Sequence, residues 1–460
     1  PSEEPCLISE QYGVFVAPTG SDDAGTGSRT APYATIGKAV SVATPQSLRV
    51  YVCDNGTGYG EALNLPDGTK IFAGFVCVDW MYSTSQRAVV RAPTSPGLAI
   101  SGATVGVRVE DLEIGASNGQ EAGSSFGAIV DSSANVFMRR VKLVAGNGGP
   151  GVGGVHGAKG VDGPDVSSVS NVAGSAAMCP AGVSGQLGGA WLQPSQCGSR
   201  GGAGGTATQG SDGTAGVAGN PRDNVSPPDI DNGGDKGAEG EDGSAGSLGV
   251  SGVPGVATSA VGTFTATGYA TANASSAATG TEGSAGQGGG GGGASNATGV
   301  CIGASGGAGG MGGCGGKAGS GGATGGASVA LLSWSSTVSL DNCTLVAQAG
   351  GQGGKGGNGG AGGLGKPGAS GGAAASSDAG VAVGKGGNGG LGGDGGMGGP
   401  GAGGTGGPSY ALVYKGQIPA KMNVTETPGA AGIGGVGGTA GGTTGPTGSP
   451  GASATELSLP

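Results

Sequence analysis

Three stretches of the chain share one alternation of apolar and polar positions. LAISGATVGVRVEDLEI (98–114), GAIVDSSANVFMRRVKL (127–143) and VALLSWSSTVSLDNCTL (329–345) align without gaps. The step from Ala99 to Val107 recurs from Ala128 to Val136 and from Ala330 to Val338. In each copy the apolar positions alternate, break at a two-residue kink, and alternate again. That pattern predicts short strands meeting at a corner. The inward sets are Val107, Val109, Leu112, Ile114; Val136, Met138, Val141, Leu143; and Val338, Leu340, Cys343, Leu345. A looser fourth copy, YALVYKGQIPAKMNVTE (410–426), departs from the pattern at Pro419. Earlier alternations at Arg49 to Cys53, Leu63 to Leu65, Lys70 to Phe75 and Ala88 to Arg91 read as further strands, as does Val14-Phe15-Val16. Thr35 is placed to N-cap a short helix through Ile36, Ala39 and Val40.

Between the copies the period changes to three. GGQGGKGGNGGAGGLGKPGASGG (350–372) puts Gln352, Lys355, Asn358, Ala361 and Leu364 at every third position, with glycine between them. A period of three fits neither helix nor strand. It predicts polyproline II geometry in its all-glycine form, polyglycine II. Glycine also recurs every third residue from 148 to 163, from 210 to 219 and from 234 to 255. Arms 350–372 and 384–407, turning at AAASSDAG (373–380), read as a hairpin of two such rods. TFTATGYATA (263–272) is expected as a strand inside the longest insertion. Disordered linker and collagen are the competing readings. The strict register and the apolar third positions Leu364, Leu391, Met397 and Val436 speak against the first. The brevity and low proline content of run 234–255 speak against the second.

The insertions leave the repeat at one corner, as solenoid insertions do. The expected fold class is therefore all-β: a small right-handed parallel β-helix whose long glycine-rich insertions form a polyglycine II helix bundle. The expected division is an N-terminal arm (1–13), the cap and first rungs (14–145), a glycine-rich insertion (146–327), a rung (328–347), a polyglycine II hairpin (348–408), a rung (409–427) and a glycine-rich tail (428–460). The stretch from Val14 to Ala39, with Gly20, Asp22, Gly25-Thr26, Pro32-Tyr33 and Thr35-Ile36, resembles the N-terminal motif of secreted, pectate-lyase-like parallel β-helix proteins. That resemblance implies that the helix closes one end of the solenoid. The glycine arms resemble the glycine-helix bundles of an insect antifreeze protein and of some phage tail-tip adhesins. In composition they resemble glycine-rich PGRS-type surface proteins of mycobacteria and those of myxobacteria.

Composition narrows the function classes. Glycine supplies 118 of 460 residues, so the apolar islands must hold the fold. Net charge is −10 with no charged block, which excludes a basic nucleic-acid footprint. The cysteines are Cys6, Cys53, Cys77, Cys179, Cys197, Cys301, Cys314 and Cys343. None forms a CxxC pair, and the single His156 stands apart from them, so disulfides are expected and zinc is not. The expected pairs are Cys53–Cys77, Cys179–Cys197 and Cys301–Cys314, leaving Cys6 for Cys343 or for a neighbouring subunit. The start at Pro1, without Met or an apolar leader, fits a processed secretory chain.

No catalytic constellation emerges, and no cofactor or metal site is expected. The repeats stack Glu110, Arg139 and Asp341 at one position and Asp111, Arg140 and Asn342 at the next. A self-neutralising ladder at a corner explains them better than acid–base chemistry does. Asp394 stands alone among glycines, so a β-roll calcium repeat is not met. Asn-X-Ser/Thr triplets at Asn55, Asn224, Asn273, Asn296, Asn342 and Asn423 are near the chance expectation. The function expected is a non-catalytic extracellular structural protein, surface-displayed or self-assembling into a homopolymeric fibre or sheath. An adhesin or carbohydrate-binding protein with surface glycans as partners, an ice-binding protein and a polysaccharide lyase-like enzyme are the alternatives. No membrane-spanning segment and no nucleic-acid partner are expected.

Overall fold

The computed structural model describes residues 5–182, 185–193, 195–221, 232–257, 259, 261–273 and 278–460. Among them the strands assemble into three large sheets whose pairings are all parallel, with small two-stranded pieces elsewhere. The seven-stranded sheet runs Gly13–Val16, Arg49–Asp54, Lys70–Val76, Val107–Glu110, Val136–Arg139, Val338–Asp341, Ala420–Met422. The five-stranded sheet runs Ala88–Arg91, Leu112–Gly115, Lys142–Val144, Thr344–Val346, Thr425–Thr427. The six-stranded sheet runs Leu63–Asn64, Leu98–Ser101, Ser125–Asp131, Ser328–Trp334, Ser409–Lys415, Ser453–Leu459. Each aligned copy supplies one strand to each sheet, in the order six, seven, five. Register follows the sequence alignment: Val136 pairs Val107 and Val338, and Leu143 pairs Ile114 and Leu345.

The expected fold class is corrected by this topology. The small right-handed parallel β-helix rests on three aligned copies, a looser fourth and the N-terminal motif. The structure instead builds several large parallel sheets with few helices. Parallel sheets of such extent are the kind associated with α/β proteins, whose sheets are covered on both faces. The early alternations pair into the same sheets, as does Ser453–Leu459, a strand within the expected glycine-rich tail that lacks the copies' two-part pattern.

The inward sets form the core. Val109, Leu112, Ile114, Met138, Val141, Leu143 and Leu345 are fully buried. Each such side chain contributes roughly 1.5–3 kcal/mol over exposure. The kink residues Asp111, Arg140, Asn342 and Asn423 all take left-handed backbone, with φ of 60°, 50°, 52° and 52°. The helix Ile36–Ala43 buries Ile36, Ala39, Val40 and Ala43 in the same core. Thr35 caps it by accepting from the Lys38 N–H.

The last layer breaks the pattern. Lys421 pairs with Leu340, Glu426 with Leu345 and Glu456 with Leu412, so charges stand where the layer beneath has core leucines. Lys421 Nζ bonds Glu426 (3.0 Å) and also Glu456. Burial pushes the Glu426 carboxyl up; burial alone would lower Lys421, but its hydrogen bonds to the two carboxylates push it up.

The glycine tracts bond to one another with a period of three. Around residues 400–403, Gly401, Ala402 and Gly403 donate to Gly357, Ala278 and Pro446 at 2.8–2.9 Å. The carbonyls of Pro400, Gly401 and Ala402 accept from Gly255, Gly438 and Gly322 at 2.8–2.9 Å. Four consecutive residues thus bond six other segments. The arms 350–372 and 384–407 run antiparallel side by side, through Gly401 to Gly357, Gly404 to Gly354 and Gly407 to Gly351. The stretch 263–272 forms an antiparallel hairpin, Thr263–Thr265 with Gly268–Ala270.

Disulfides join Cys53–Cys77, Cys179–Cys301 and Cys197–Cys314. The first matches expectation; the expected Cys179–Cys197 and Cys301–Cys314 pairs do not form. Residues 303–313 run as an extended rod, bonded on one side to residues 199–205 and on another to residues 387–393, which holds Cys301 and Cys314 at its opposite ends. Nor does Cys343 take Cys6: it is a buried thiol donating to the Met138 carbonyl at 3.4 Å. Among the described residues no helix is long and apolar enough to cross a membrane.

Candidate functional site: an aromatic cavity beside the six-stranded sheet

The six-stranded sheet is apolar on both faces. VALLSW and YALVY turn Leu331 and Leu412 into the core. Val329, Leu332, Tyr410 and Val413 point the other way, with Phe126 and Ile129. A solvated strand would carry polar residues there; a continuous apolar run predicts cover on the second face. The hairpin supplies part of that cover. Phe264 packs at 4.8 Å from the Tyr269 ring and 6.1 Å from the Tyr410 ring.

The cover is incomplete and leaves a cavity of about 480 Å³. Its walls are Phe264 and Tyr269 from the hairpin, Trp334, Tyr410, Leu457 and Leu459 from the sheet, and Gly406 and Pro408 from the bundle. This volume lies within the range of small-molecule sites. Few polar groups face it. The Tyr269 hydroxyl accepts from the Gly262 N–H at 2.7 Å. Burial pushes the Tyr269 and Tyr410 hydroxyls above their ordinary values, so both stay neutral at physiological pH. The charged member is Lys415, with Nζ 4.8 Å from the Trp334 ring centroid. Among the described residues no Asp or Glu lines the cavity.

The sequence-derived candidates lie elsewhere. Glu110, Arg139 and Asp341 do stand at paired positions of the seven-stranded sheet. Their charges are consumed internally. Glu110 is 1% exposed, held by Arg108 at 2.5 Å and Arg140 at 3.2 Å. Asp111 is fully buried under Arg140, with Nε–Oδ1 2.5 Å and Nη2–Oδ2 2.8 Å. Arg139 reaches Asp341 at 3.1 Å. Tyr82, pushed up to about 12 by burial and by Asp111, donates to Asp111 at 3.0 Å and accepts from Arg140 at 2.7 Å. Such a closed network orders a corner and has no acid or base free for a substrate.

His156 is exposed, and its Nδ1 accepts from the Asn358 N–H at 2.8 Å; Asp394 accepts from the Gly365 N–H at 2.8 Å. Both complete bundle hydrogen bonds. Asn224 lies outside the described residues. Among the described residues no cluster of three or more His, Cys, Asp or Glu could hold a metal. The inward alternation of the copies does not predict the aromatic cavity. Its signal was present in the doubly apolar runs and in Trp334 and Tyr410. No protein-family model, no curated protein and no solved structure matches this chain.

Proposed function

We propose that this protein is a non-catalytic structural protein of the cell exterior, a stiff scaffold displayed at a surface. The observation that carries this reading is the mutual bonding of the glycine segments, with residues 400–403 bonded to six neighbours. A bundle whose backbone groups bond mainly to one another resists bending and needs little apolar core. Three disulfides are compatible with an oxidising compartment. The closed Glu110–Asp111–Arg140 network supports a non-catalytic role.

The end charges refine the assembly reading. Inward-pointing charges at a sheet end oppose its continuation by another copy. Homopolymer formation would then proceed side by side through the bundle flanks rather than end to end. Fractionation of producing cells tests the location: the reading expects oxidised protein in the exterior fraction. Recovery of reduced protein inside the cell would contradict it. Electron micrographs test the assembly: isolated particles or lateral sheets are expected, and axial filaments would overturn it.

A further inference from the structure

We propose that the cavity between the Thr263–Ala270 hairpin and the six-stranded sheet binds an amphipathic carboxylate, an acyl chain ending in one carboxylate group. The inference is independent of the scaffold reading. Three observations support it. The walls are aromatic and aliphatic, from Phe264, Tyr269, Trp334, Tyr410, Leu457 and Leu459. That lining suits a hydrocarbon body and offers too few hydrogen-bonding groups for a sugar. Among the described residues the one formal side-chain charge on the wall is positive. Among the described residues Lys415 has no ion-pair partner, and its contact is with the Trp334 ring face.

An ammonium held against a ring and facing an apolar cavity is complementary to an anion that carries its own apolar tail. The body would lie against the Phe264–Tyr269–Tyr410 cluster, displacing water from apolar walls. The carboxylate would pair with Lys415 at the rim, where its desolvation is partial. Trp334 sits beside that pair and serves as a reporter.

The test compares three probes of equal chain length on the unmodified full chain below their micellar concentrations: dodecanoate, dodecanol and dodecylammonium. Saturable quenching or a spectral shift of tryptophan fluorescence is expected with dodecanoate. Binding at least tenfold weaker is expected for the ammonium, with the alcohol between. Lys415→Met should reduce dodecanoate affinity about tenfold and leave the alcohol unchanged, and Trp334→Phe should remove the spectral response. Equal affinity for all three probes, or no saturable binding, would overturn the proposal. So would a concentration-dependent dimer, seen by sedimentation, that excludes dodecanol, since a second copy would then fill the cavity. The wild-type comparison decides the matter even if a variant fails to fold.

Discussion

At the scale of single residues, glycine is required by approach distance. A Cβ on Gly404 would stand 2.0 Å from the Ala323 carbonyl oxygen, and one on Gly401 2.0 Å from that of Ser320. The colliding atoms are backbone, which cannot swing away. A Cβ on Gly60 would meet nothing within 4 Å. Gly404→Ala should therefore destabilise the protein by about 1–3 kcal/mol as overpacking does, while Gly60→Ala should be near neutral; denaturant melts compare them. At the rims, side chains replace the absent neighbour. Ser320 accepts from Val155 and Ser284 from Val250, each at 2.7 Å. A second residue-scale prediction concerns Asp67. It accepts from the N–H groups of Thr104, Val105 and Gly106 at 2.8–3.0 Å. These bonds hold its carboxyl well below the ordinary value of 3.8. A depressed folded-state value means stability that is present above the unfolded value and lost as pH falls toward the folded one. Acid unfolding curves should show Asp67→Ala already weakened at neutral pH, with a shallower loss below about pH 4 than the parent.

At the scale of elements, the final layer sets the end of the sheets. Lys421→Met leaves Glu426 and Glu456 facing inward without their partner. It should cost roughly 1–3 kcal/mol, less than the loss of a fully buried pair because the groups are partly exposed. Replacing Lys421, Glu426 and Glu456 together with leucine should restore stability and produce end-to-end association in sedimentation. A triple variant that remains a monomer would contradict the capping role. The sequence showed that Pro419 broke the fourth copy but not what the break achieves. Alignment located the inward positions of three layers because apolar residues repeat there. It could not extend to Lys421 and Glu426, where the residue type changes while the backbone position does not. The strand Ser453–Leu459 was read as tail for the same reason: SATELSL has no apolar alternation on the inner face. The two disulfides of the long insertion differ from expectation for another reason. Pairing by short loop length ignores that a glycine rod separates its own ends, so Cys301 reaches Cys179 and Cys314 reaches Cys197 across rods.

At the scale of the whole molecule, two kinds of cohesion coexist. The sheets bury leucines, valines and isoleucines; the bundle's order rests mainly on mutual hydrogen bonding, with small apolar clusters such as Val166, Val172, Leu192 and Met311 beside the rods. Disulfides Cys179–Cys301 and Cys197–Cys314 span 122 and 117 residues of chain. Closing loops of that length removes much unfolded-state entropy, so losing either should cost on the order of 2–5 kcal/mol. Cys197→Ser with Cys314→Ser should lower the melting temperature while leaving the sheets' circular dichroism intact. The claim on which everything else depends is that the glycine segments are bonded rods. Amide hydrogen exchange read by mass spectrometry tests it most directly. Peptides covering 386–407, whose N–H groups are directed at residues 351–372, 278–293 and 446–449, should be as protected as those covering Ser328–Trp334. Exchange across 386–407 at the rate of an unstructured peptide would contradict the account.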